Sequence, residues 1–230
     1  MRYCNLLDLF VFGICLLFEP GTHWRYSYCY DVLGALIEVI SGQSLSEFLR
    51  DHIFAPLGMK DATFYPTDAQ KTQMPSLYEY DEKLHTLTLA HSGHFDVESG
   101  GAGLYMSLED YGQFGVMLCN GGTSFEGVRV LGHKTVELMT TNHLDTACQL
   151  DFNWEHMQGY GYGLGVRVMV DLSKAGSNGN IGEYGWMGAA GTILLADPKE
   201  KLVLVYAQQR VPGNETYNYP RLRNVLYSCL

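Results

Sequence analysis

Residues 184–209, "YGWMGAAGTILLADPKEKLVLVYAQQ", carry the strongest strand signal in the chain. "YGWMGAAGTILLAD" and "KLVLVYAQQ" are apolar, and Asp197-Pro198-Lys199-Glu200 between them has the composition of a turn, so one strand is predicted on either side. Upstream, "YGLGVRVMVD" at 162–171 predicts a third strand, joined to "YGWMGAAGTILLAD" by a polar, glycine-containing loop near 173–182. The alternate glycines Gly159, Gly161, Gly163 and Gly165 lack the strand-to-helix context of a phosphate loop and are read as close backbone packing. Downstream, 217–229 is predicted to be a helix lying on this sheet.

Towards the amino terminus the period becomes helical. Residues 31–41 form a predicted helix with Asp31 as N-cap and Gly42 as its stop. Val32, Leu33, Leu36, Ile37, Val39 and Ile40 cover most of its circumference, so it is expected to be buried. "SLSE" at 44–47 is a capping box opening a second helix that stops before Pro56. Residues 60–100 read as short, turn-rich pieces. Ser107 with Asp110 starts a helix that ends at Asn120-Gly121-Gly122, and a further short helix is predicted at 133–140. Helices first and an antiparallel meander with a closing helix last define an α+β arrangement.

With 47% hydrophobic and 17% charged residues, a chain of 230 residues buries one sizeable core, which excludes a disordered protein. A net charge of −10 disfavours a nucleic-acid backbone or an anionic membrane as partner. The six cysteines contain no C-x-x-C pair, so a reducing compartment, the cytoplasm, is the default. The apolar run Leu6–Phe18 is interrupted by Asp8, lacks an A-x-A-like cleavage site, and falls short of the roughly 20 residues of a membrane-spanning helix, so it is expected to face the core, with a secretion signal as the alternative.

Local nucleophile motifs are absent from the sequence: no serine stands three residues before a lysine, and none sits in G-x-S-x-G. His91 and His94 with Asp96 are read as solvated side chains, because "HSGHFD" offers neither H-E-x-x-H geometry nor a fixed ligand set; no metal is expected. Sixteen tyrosines make any single one, by composition alone, packing material.

Order and wording across the chain add what composition does not. "LLFEPGTHWRYSYCYDVLGALIEVISGQSLSEFLRDHIFAPLGMKDATFY", "SGGAGLYMSLEDYGQFGVMLCNGG", "GYGLGV" and "GWMGAAGTILLADP" resemble, in order, the later landmarks of the class C β-lactamase-related serine hydrolases. That group contains esterases, D-alanyl-D-alanine carboxypeptidases and transesterases. The resemblance implies a β-lactamase/transpeptidase-like fold: one domain over 1–230, helical and irregular over about 1–158, sheet and closing helix over about 159–230, lacking the family's amino-terminal part. It also implies roles. Tyr26, in Tyr26-Ser27-Tyr28, falls on the catalytic tyrosine, which exchanges protons with the serine and then the leaving group. A phenol with a reference pKa of about 10 does this only where cations stabilise the phenolate, and the S-x-x-K lysine would be the main one. Trp186-Met187-Gly188 falls on the third, substrate-binding motif in its W-x-G form, and the Ala189 N–H on half of an oxyanion hole. Tryptophan in place of the family's lysine, and Tyr28 in place of asparagine, both resemble the esterase-like members.

The resemblance thus implies an esterase-like acyl-serine hydrolase acting on a small ester or acyl substrate without a cofactor, and inactive without the S-x-x-K segment. A second reading is a binding or scaffolding protein that kept the cleft. Because the family completes its sheet with strands from the segment not matched here, "KLVLVYA" at 201–207 is expected to be an open edge prone to self-association.

Overall fold

The structure, a computed structural model, describes residues 16–90 and 98–230. Helix α1 spans Cys29–Ser41 and ends on Gly42, whose φ of 71° is the left-handed cap expected of glycine. Its N-cap is Tyr28, and Asp31 lies inside the first turn, where its carboxylate accepts from the Ser99 hydroxyl. Helix α2 begins at Leu45–Leu49 behind the predicted capping box: Ser44 Oγ accepts from the Glu47 N–H at 3.2 Å and Glu47 Oε2 accepts from the Ser44 N–H at 3.0 Å. It does not stop before Pro56. A π-helical turn, Arg50–Phe54, intervenes and the helix resumes over Ala55–Leu57. Proline lacks an N–H and its ring clashes with the carbonyl four residues back; widening the preceding turn to five-residue bonds, with the Ala55 N–H on the Arg50 carbonyl, absorbs both.

Helix α3 (Asp68–Gln73) is followed by a hairpin, β1 (Tyr78–Asp81) and β2 (Thr86–Leu89), inside the stretch expected to be helical or irregular. Next come α4 (Leu108–Cys119), α5 (His133–Met139) and α6 (Thr146–Asp151), then a 3₁₀ turn at Glu155–Met157. The sheet and closing helix follow as β3 (Tyr160–Tyr162), β4 (Arg167–Met169), α7 (Leu172–Ala175), β5 (Tyr184–Met187), β6 (Ile193–Asp197), β7 (Leu202–Tyr206), β8 (Arg210–Val211) and α8 (Glu215–Tyr227). Strands β3 to β7 make one antiparallel sheet in sequence order, and β8 joins β1 in a small separate sheet.

Two of the three predicted strands are hairpins. "YGLGVRVMVD" breaks between β3 and β4, where Gly163 lies so close to the Met139 carbonyl that a Cβ would sit 2.0 Å from its oxygen, and Gly165 has φ +85°. "YGWMGAAGTILLAD" breaks between β5 and β6: the Gly188 N–H donates to the Thr192 carbonyl at 2.8 Å, and Gly191, φ +88°, makes the reversal. The 197–200 turn forms as expected, with Asp197 Oδ1 accepting from the Lys199 and Glu200 N–H groups at 2.9 and 3.3 Å.

Every residue of β6 is buried because both faces of the sheet are covered. Leu194 and Ala196 meet one core with Met117 and Leu118 of α4 and Phe54 and Leu57 of α2, while Ile193 and Leu195 meet Phe152, Met157 and Tyr219 in the other. Gly115 lets α4 seat directly on the sheet; a Cβ there would lie 2.7 Å from Val203 Cγ1 and 2.8 Å from Leu194 Cδ1.

The expectation of burial fails for α1. Only Gly34 and Ala35 are buried, and Val32, Leu33, Leu36, Val39 and Ile40 are 42–77% exposed. An apolar circumference is buried only to the extent that something lies against it, and among the described residues the covered side is the narrow one facing Leu45 and Gly100. At the other extreme of the fold, β7 is the outermost strand and no described strand pairs with its free side. Among the described residues no single helix is long and apolar enough to cross a membrane.

Candidate active site

Four segments meet at Tyr26. The turn before α1 carries Trp24 and Tyr26 and runs into Tyr30 in the first turn of α1; the loop after α6 carries Phe152 and Trp154; β3 and β5 supply Tyr162 and Trp186. The turn is pinned from two sides. Asp151, at the end of α6, accepts from the Trp24 N–H at 3.0 Å and meets His23 Nδ1 at 2.9 Å, and these bonds hold its carboxyl below the ordinary carboxylate range. On the other side the "SGGAG" block lies on the first turn of α1. A Cβ on Gly100 would sit 2.0 Å from the Tyr30 carbonyl oxygen, so only glycine fits, and Ser99 bonds Asp31.

The Trp186 indole N–H donates to the Tyr26 hydroxyl across 3.3 Å, joining residues 160 positions apart, and the two ring centroids are 5.1 Å apart. The second and third sequence motifs therefore meet. The turn that ends β5 places Gly188 and Ala189 next to them; the Ala189 carbonyl is engaged by the Gly213 N–H at 2.9 Å, while its own N–H bonds none of the described residues.

The tyrosines of the opening motif separate by environment. Tyr26 is 38% exposed and Tyr28 59% exposed. Tyr30 is half-buried, and its hydroxyl makes a short hydrogen bond with that of Tyr162. Burial, above all, raises the pKa of both, so this pair stays protonated and is unsuited to act as a base. Around them the rings pack at steep angles: Trp24 on Phe152 at 4.8 Å and on Tyr162 at 5.2 Å, Tyr162 on Trp186 at 5.3 Å. Phe152 and Trp154 carried no motif in the sequence, and Tyr162 lay in the GYGLGV block without a role; the long-range fold brings all three here.

Beneath Met187 lies Arg167 of β4, which is 1% exposed. Its guanidinium sits 3.9 Å from the Tyr219 ring centroid and its Nη1 is 3.4 Å from the Met187 sulfur. His91, His94 and Asp96 fall outside the described residues; among those described, no group of His, Cys, Asp or Glu is placed to hold a metal ion.

A family model described as Beta-lactamase matches residues 11–227, and the chain belongs to that family. An uncharacterized protein of Mycobacterium tuberculosis is 32% identical over 206 residues, 86% of this chain and 51% of that protein. Lovastatin esterase of Penicillium rubens is 32% identical over 44% of this chain and 27% of its own. Among solved structures, a simvastatin synthase of Aspergillus terreus superposes with a TM-score of 0.83 at 22% identity, covering 95% of this chain and 59% of that one, which shows the shared fold. The architecture is thus the β-lactamase/transpeptidase-like α+β fold, and the chain spans about half the length of the mycobacterial relative.

Proposed function

We propose that these residues form the tyrosine and W-x-G portion of an esterase-like acyl-serine hydrolase, with Tyr26 as the proton-transfer group. The observation that carries this reading is the Trp186–Tyr26 hydrogen bond, which puts the two motifs of the family resemblance into one site. In such a site a serine hydroxyl attacks the ester carbonyl, Tyr26 takes the serine proton, and the tetrahedral oxyanion accepts the Ala189 N–H as one of two donors. Tyr26 then returns the proton to the departing alkoxide, and water repeats the sequence on the acyl-serine. Gly188 leaves room for the substrate beside the strand end. Trp186 in place of a lysine takes away the cation that would hold a substrate carboxylate, so the site suits an uncharged ester or related acyl compound. Self-association through residues 201–207 is part of this proposal for the chain as given.

Because the sequence holds no S-x-x-K, the serine and its lysine must come from outside these 230 residues. A fluorophosphonate reagent is expected to label nothing on this chain. In a longer in-frame product carrying S-x-x-K, Tyr26→Phe should remove most turnover of p-nitrophenyl esters while leaving the circular dichroism spectrum and the melting temperature intact. Unchanged turnover would refute the role of Tyr26. Absence of any S-x-x-K in the genomic sequence upstream would favour the binding or scaffolding reading instead.

A further inference from the structure

We infer that Trp154, with Trp24 and Trp186, forms a recognition surface for a planar, uncharged aromatic group on the substrate; the inference rests on the assignment of the reacting centre to Tyr26. Trp154 lies in the loop between α6 and the 3₁₀ turn and is 39% exposed. Its ring centroid is 5.6 Å from that of Trp24, 6.1 Å from Tyr26 and 6.3 Å from Trp186, at interplanar angles of 76°, 74° and 46°. Phe152, two residues earlier, is 3% exposed and turns into the core. Trp154 instead stands over the anchored Phe152–Trp24 pair as a wall beside the Tyr26 hydroxyl. Trp154 meets Trp24, Tyr26 and Trp186 at angles rather than in a stack, so a planar group can lie against one wall while an attached ester reaches Tyr26.

The wall carries no charge. His156 stacks on Trp154 at 5.8 Å and 30°, and burial, with Arg167 nearby, lowers its pKa to about 4, so it is neutral at pH 7; the Asp151 carboxylate meets the wall only at the Trp24 backbone N–H. An aryl ester has the complementary chemistry: apolar area, a π-face for edge and face contacts, and no carboxylate to desolvate.

The test uses the chain as it stands and binding rather than turnover. Isothermal titration or saturation-transfer NMR compares methyl 2-naphthoate, the 2-naphthoate anion, methyl cyclohexanecarboxylate and phenyltrimethylammonium. Methyl 2-naphthoate is expected to bind most tightly. Trp154→Leu, which keeps apolar bulk but removes the π-face, should weaken it roughly two- to tenfold. Trp154→Phe should restore part of the loss, which also shows that the loop still folds. No measurable binding, equal binding of the cyclohexane ester, preference for the ammonium or the anion, or indifference to Trp154→Leu would each overturn the inference. A failed base assignment has a different signature: binding and its Trp154 dependence persist, and Tyr26→Phe in a serine-bearing product changes nothing.

Discussion

The closing helix is fastened to the sheet by a buried ion pair whose removal gives the sharpest stability prediction. Glu183, 0% exposed, receives the Arg223 Nε–H on Oε1 at 2.7 Å, and Arg223, 1% exposed, brings its Nη2 within 2.7 Å of Oε2. That second approach is off-line for a hydrogen bond, so Nε carries the directional contact and Nη2 a Coulombic one. The Tyr160 hydroxyl donates to Oε1 at 2.7 Å, and the Tyr227 hydroxyl lies 2.7 Å from Oε2 and 2.6 Å from Asp197 Oδ2. Arg223→Met keeps most of the apolar stem but strands a carboxylate in the interior. Breaking one side of such a pair costs about 3–5 kcal/mol, and at roughly 2–4 °C per kcal/mol for a domain of this size the melting temperature should fall by about 6–20 °C. Thermal unfolding followed by far-ultraviolet circular dichroism measures it. The double variant Glu183→Leu/Arg223→Met removes both charges and should regain most of the loss, because a well-packed apolar pair often matches a buried ionic one. A single-variant shift below about 2 °C, or a double variant no better than the single, would refute the argument that the stranded charge is the cost.

Three further outcomes follow from other contacts. Gly100→Ala forces a Cβ to within 2.0 Å of the Tyr30 carbonyl, so the loop must lift from α1; a loss of more than about 2 kcal/mol in urea unfolding is expected, and a change under about 0.5 would contradict the contact. Asp151 has a folded pKa below its unfolded value of about 3.9, so the stability it provides is present above that value and is lost as pH falls through the folded one; Asp151→Asn should flatten the fall of Trp24-sensitive fluorescence signal below about pH 4. An unchanged acid profile would remove Asp151 from that role. Light scattering should find concentration-dependent association of the chain through the free side of β7; a monodisperse monomer would overturn self-association through that edge.

Local chemistry was legible in the sequence wherever it was self-contained. The Ser44 capping box, Ser107 as a cap accepting from the Asp110 N–H, the Gly42 stop and the Asp197 turn each involve residues within four positions of one another. What failed depended on partners elsewhere. Gly163 breaks its strand because of the Met139 carbonyl, and the apolar pattern of α1 reports a preference for burial without saying whether a neighbour is present. The β1–β2 hairpin does alternate, Tyr-Glu-Tyr-Asp against Thr-Leu-Thr-Leu with Tyr78 opposite Leu89 and Tyr80 opposite Leu87, but each strand is only four residues long and exposed along nearly its whole length, so it does not stand out from the turn-rich pieces read over 60–100. At the site, Tyr26 and Trp186 were accessible through the motif order, whereas Phe152 and Trp154 are aromatic residues with no local signature and Tyr162 sat in the GYGLGV block with no role attached to it.

The residues before the β1–β2 hairpin are bound to those after it by more than chain connectivity. Besides the Ser99–Asp31 contact, Asp110 caps the backbone of Lys60 and Asp61 at 3.1 and 2.7 Å, and Thr63 bridges Tyr105 through paired backbone bonds of 2.8 and 2.9 Å. The hairpin tip between Asp81 and Thr86 is exposed. A protease nick there would therefore leave two fragments that stay together with Tyr26 still against Trp186, and the same tip offers a position for new termini in a permuted chain.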